Sequence, residues 1–96
     1  MSLIDKAKVT LRITVSDYDE EIADLIEAAK SDLGIAGVEA PIEPDPLYER
    51  AILTYCRVHF GSPEADEFAR LKRSYDEQKA QLMTATGYTW WGGDET

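Results

Sequence analysis

Between residues 18 and 33 the apolar positions recur with a helical period. At 100° per residue, Tyr18, Ile22, Leu25, Ile26, Ala29 and Leu33 fall within one stripe about 100° wide, while Glu20, Asp24, Glu27 and Ser31 take the opposite face. This predicts a one-sided helix. Ser16 or Asp17 can cap it, acids crowd its positive end, and Gly34 is the expected stop. From Pro46 to Phe60 the pattern changes. Leu47, Ala51, Tyr55 and Val58 cover one side, and Ile52, Leu53, Cys56 and Phe60 take most of the rest. Glu49, Arg50 and Arg57 leave only a narrow polar strip. A helix apolar nearly all round belongs at the centre of a bundle. Asp45 can cap it with Pro46 at the first helical position, and Gly61 can end it.

Two weaker patterns flank this pair. Leu3, Ile4, Ala7 and Leu11 predict a short helix over Ser2 to Ile13, although the β-branched group Val9 to Val15 leaves a strand there as the alternative. A fourth helix is predicted over about Pro63 to Met83, capped by Ser62, with Ala65, Phe68, Leu71, Tyr75, Leu82 and Met83 as its stripe. Asp66 with Arg70, and Arg73 with Glu77, stand at i,i+4 on its outer side. Pro41 and Pro44 forbid a regular helix in residues 35–44, and Ile35, Val38 and Ile42 suggest a connector lying against the core. Residues 84–96 lack a helical period but place Tyr88, Trp90 and Trp91 close together. The expectation is an all-α fold: a small bundle of about four helices over residues 1–83, with the third helix central, and a flexible C-terminal tail over residues 84–96.

Composition narrows the function. The 96 residues make one domain, and partners often complete the burial of so small a core. A hydrophobic content of 44% excludes a mainly disordered chain. No apolar run approaches the roughly 20 residues that span a bilayer, and Met1 to Asp5 lacks the basic start of a signal peptide, so no membrane is expected. The lone Cys56 suits a reducing cytosol. Charge is segregated: residues 17–49 hold eleven acids against Lys30, a net −10 in a chain of net −9. Phosphate-gripping proteins need a basic stripe, and this chain offers the reverse. The acidic face Asp17, Glu20, Asp24 and Glu27 is either simply solvated or meant to repel polyanions or meet a basic partner. Arg70, Lys72 and Arg73 form a basic cluster that could meet the acidic face of a neighbouring copy.

Catalytic candidates are thin. No carboxylate has a marked partner or a clearly apolar setting to shift its pKa. His59 has no Cys or His at metal-ligand spacing and sits where a cation suits the end of a helix. Cys56 reads as a small buried hydrophobe, although a Cys56–His59 pair in an open cleft would be the mark of a small enzyme. Gly92-Gly93 lacks the lysine and the following helix of a phosphate loop. Neither a cofactor nor a metal is expected, and the chain reads as a non-enzyme. Trp90 and Trp91, with Tyr88, are the best candidates for a partner anchor, because tryptophan buries a large rigid surface.

The order of elements and the local wording resemble a known family, the small head–tail connector proteins of long-tailed bacteriophages, also called phage DNA-packaging proteins. The likeness covers nearly all of residues 3–83. It rests on Leu11-Arg12-Ile13, on SDYDEEIADLIEAAKSDLG, on DPLYERAILTYCRVHF and on EADEFARLKRSYDEQKAQL. The resemblance implies a structural protein of a phage or prophage virion, assembled in the host cytoplasm as a homo-oligomeric ring of about a dozen copies beneath the portal. Such a ring extends the DNA channel without specific DNA binding and presents a surface to the next connector or tail component. Asp17, Glu20, Asp24 and Glu27 would suit the channel wall, and Tyr88, Trp90 and Trp91 would suit docking on the portal. The alternative is a small acidic bacterial adaptor or regulatory protein that binds a basic partner through the acidic helix.

Overall fold

The computed structural model describes residues 2–43, 45–61 and 63–92, without the side chains of 85–92. The order is α1 (Leu3–Leu11), α2 (Asp19–Ile35), α3 (Pro46–His59) and α4 (Ala65–Gly92). No strand occurs among the described residues, so the fold is an all-α bundle and the strand alternative at Val9 to Val15 is set aside.

α3 is the central element, packed against all three other helices. Tyr48, Ala51, Ile52, Cys56 and Val58 are buried on it, and Leu53 and Tyr55 are partly buried against the same core. Its start is as the sequence predicts. The Asp45 carboxylate accepts the Leu47 N–H at 3.0 Å, and Pro46 occupies the first turn, where its missing N–H costs nothing. α2 contributes Ile22, Ile26, Ala29 and Leu33, and α4 contributes Tyr75 and Leu82, to one continuous apolar cluster.

Helix ends depart from the expected residues in instructive ways. α1 stops at Leu11 because Arg12 turns left-handed, at φ 60° and ψ 43°. The Ile13 N–H then reaches the Lys8 carbonyl at 2.9 Å and the Arg12 N–H reaches Val9 at 3.1 Å, the paired bonds of a Schellman ending. Arginine gives no sequence warning of this, since glycine is the usual residue there. α2 ends the same way three residues later than expected. Gly34 lies inside the helix, and Gly37, at φ +95°, is the stop, with Val38 N–H bonded to the Leu33 carbonyl at 2.8 Å. A helical glycine with open space around it is tolerated; the left-handed position favours one. At the other end, α2 begins at Asp19 with Tyr18 at the cap position, where no side chain bonds the backbone, so neither Ser16 nor Asp17 caps it.

Several apolar positions lie further out than their periodicity predicts. Tyr18 leaves the α2 stripe and meets Phe60 edge-on at 5.5 Å. Among the described residues of the connector Val38 alone is buried; Ile35 is 87% exposed and Ile42 fully so. Leu47, Phe68 and Met83 are also exposed, and Ala65 at the start of α4 is solvated. α4 runs on to Gly92, past the predicted limit at Met83, and begins at Ala65, after Pro63. The proposed Ser62 cap lies outside the described residues.

Among the described residues, four ion pairs bind one helix to another. Lys6 meets Glu49 at 2.7 Å, Lys8 meets Asp19 at 2.8 Å, Lys79 meets Asp32 at 3.2 Å and Arg57 meets Glu67 at 3.8 Å. All are at least partly solvated, so each contributes about 0–1 kcal/mol and the apolar cluster carries the fold.

Candidate interaction surface

The buried stripe on α2 fixes what its outer face presents. With Ile22, Ile26, Ala29 and Leu33 turned inward, Glu20, Asp24 and Glu27 stand together in solvent along the opposite side. Asp17 is exposed in the turn before the helix rather than on it. Among the described residues the one cation touching this group is Lys30, 3.4 Å from Glu27 on the same helix. The face is therefore a line of carboxylates with Lys30 as its one described counter-charge, kept apart from any core role.

Arg70, Lys72 and Arg73 are exposed on α4. Lys72 pairs with Asp76 at 3.6 Å, one turn along. Arg70 and Arg73 have no ion pair with a described residue, so the predicted pairs Asp66–Arg70 and Arg73–Glu77 do not form. The side chains of Tyr88, Trp90 and Trp91 lie outside the described residues.

The structure adds a polar clamp that the sequence pattern misses. The Tyr75 hydroxyl donates to Asp32 Oδ2 at 2.6 Å, and Lys79 Nζ approaches the same oxygen at 3.2 Å. This joins the end of α2 to the middle of α4. The Tyr75 hydrogen bond holds the Asp32 carboxyl below its ordinary value, with burial opposing and Lys79 assisting. Burial, and then the bond to Asp32, push the Tyr75 hydroxyl well above its ordinary value. Tyr55 packs edge-on to Tyr75 at 5.4 Å and lies against His59 at a tilt, with ring centroids 4.3 Å apart. A tyrosine and a lysine four apart on a helix are a visible signal, but Asp32 is 43 residues away in sequence and only the fold selects it.

The two chemical candidates on α3 are set apart by their surroundings. Cys56 is fully buried, and burial pushes its thiol up to about 11, so it stays protonated at neutral pH. The His59 ring is exposed in the last turn against Tyr55. Among the described residues no group of three or more His, Cys, Asp or Glu is placed to hold a metal, and no helix is long and apolar enough to cross a membrane.

The outcome is a small all-α subunit whose distinctive features are its charged outer faces. The chain belongs to the phage connector protein family, whose profile matches residues 3–89. That span takes in α1, α2, α3 and most of α4, and continues past Met83. No curated protein and no solved structure matches the chain.

Proposed function

We propose that this connector is a structural head–tail adaptor that assembles as a ring beneath the portal, lengthens the DNA channel and offers a seat to the next connector or tail component. It acts by contact and without catalysis, and its place is the head–tail junction of the virion. The observation that carries the reading is the exposed carboxylate line Glu20, Asp24 and Glu27, with Asp17 beside it, in a chain of this family. A negative wall does not hold a polyanion that must slide past it, because carboxylates repel the phosphates and displace none of their counterions. Arg70, Lys72 and Arg73 supply the opposite charge for a neighbouring subunit. Residues 84–96 act as a docking tail on the continued end of α4, with Tyr88, Trp90 and Trp91 as its anchors on the portal or on a neighbour.

The test is reconstitution. Heads filled with DNA in the absence of this protein are expected to lack tails, and purified protein added back is expected to appear as a ring at the portal and to restore tail joining. Normal tailed particles assembled without it would refute the role.

A further inference from the structure

Two features at opposite ends of α1 and α3 fit each other, and we infer that they form the contact between adjacent copies. The first is the connector after α2. Ile42 is fully exposed on it, directly after Pro41 and flanked by the exposed acids Glu39 and Glu43. A fully solvated isoleucine held on a proline-stiffened loop is an apolar knob with an acidic collar. It lies beside Leu3 and Tyr48, near the starts of α1 and α3.

The second is an open groove of about 350 Å³ at the other ends of the same two helices. Leu11, Phe60, Pro63 and Leu71 give it apolar lining, and Arg12 and Arg57, with the single acid Glu67, give it charged lining. Arg57 is held only loosely, 3.8 Å from Glu67, and Arg12 has no ion pair with a described residue. Arg12 also keeps the left-handed backbone that ends α1, at φ 60°, where glycine would fit with less strain. The groove therefore combines apolar surface with an excess of guanidinium, in a chain whose net charge is −9.

Knob and groove match in character, apolar centre to apolar lining and carboxylate to guanidinium. They cannot meet within one chain, because the lengths of α1 and α3 separate them by roughly 15–20 Å. A contact between two different patches is heterologous and repeats from copy to copy, closing a ring when the rotation allows. The occupant of the groove is thus the Ala40–Glu43 loop of a second copy. This assignment rests on the ring reading above and specifies the surface that builds it.

Paramagnetic relaxation between unlike copies tests it. A nitroxide is placed on Ala40→Cys, beside an intact knob; Cys56 is buried and does not compete for the label. Labelled chain is mixed with isotope-labelled wild-type chain at about 1 mM, where even a contact with a Kd of 1 mM is substantially populated. Broadening is expected at the amides of Leu11, Arg12, Arg57 and Phe60 of the unlabelled-spin copy. It should vanish with Ile42→Asp in the donor, and with Arg57→Glu in the receiver. It should return when Glu43→Arg in the donor meets Arg57→Glu in the receiver. Arg12→Gly, which suits the left-handed backbone, should keep the fold and weaken the effect. No broadening overturns the inference, as does broadening centred elsewhere. Sedimentation of the wild type separates the two levels: self-association with broadening away from the groove leaves the ring reading standing and removes this interface.

Discussion

α2 and α3 lie side by side in the core, yet they are built for different ends. α3 is packed by three helices and buries Tyr48, Ala51, Ile52, Cys56 and Val58 among them, so a substitution at any of these is a substitution in the core. α2 buries one stripe and leaves Glu20, Asp24 and Glu27 in water with hardly a counter-charge. The difference teaches where stability resides in a chain this small: the inner helix holds the fold, and the outer face of its neighbour takes no part in it.

The comparison breaks first at Ile52. Its side chain is fully buried, so Ile52→Ala is expected to cost about 2–5 kcal/mol in denaturant unfolding, while Asp24→Ala on the outer face of α2 should stay within about 0.5 kcal/mol. Equal effects would erase the division between the two helices. Next in size is the clamp joining α2 to α4. Tyr75→Phe removes the hydroxyl that Asp32 accepts and should cost about 1.5–3 kcal/mol, as bonds to charged groups do. The same clamp makes stability depend on pH. Asp32 titrates below its ordinary value of 3.8 in the folded chain, so its contribution is present above about that pH and is lost as pH falls through the lower folded value. Asp32→Asn should flatten that part of the acid unfolding curve; an unchanged curve would show that the clamp contributes nothing.

Smaller effects sharpen the picture at the helix ends. Asp45→Ala removes the cap on Leu47 N–H and should cost about 0.5–2 kcal/mol by thermal melting. Gly37→Ala meets no neighbouring atom, so its cost, about 1–2 kcal/mol, comes from the left-handed backbone alone. Gly34→Ala, inside α2, should instead be neutral or stabilising by up to about 1 kcal/mol.

How much of this the sequence shows depends on whether the signal is local. The α3 cap and the burial of Ile22, Ile26, Ala29 and Leu33 were legible because proline, a capping aspartate and a 3.6-residue period act over a few residues. The α2 stop is not legible, because Gly34 and Gly37 compete for it and only backbone geometry tells that Gly37 is the one in a left-handed turn. Arg12 was invisible as a stop, since nothing in its chemistry asks for that conformation. Ile35 and Ile42 were expected inside because they are apolar; the core was already closed by Val38, and they were left outside. The acidic face could be read from spacing alone, while the Asp32–Tyr75–Lys79 clamp needed α2 and α4 to be docked.

The most direct test of the division between fold and action is the combined variant Asp17→Asn, Glu20→Gln, Asp24→Asn and Glu27→Gln. Its unfolding free energy should lie within about 1 kcal/mol of the parent, because these groups have no part in the core and lose only modest helix-dipole support at the start of α2. Measured alongside, its binding to double-stranded DNA at low salt should rise, and its yield of tailed particles in reconstitution should fall. A variant that unfolds, or one that keeps full yield with DNA binding unchanged, would contradict the account.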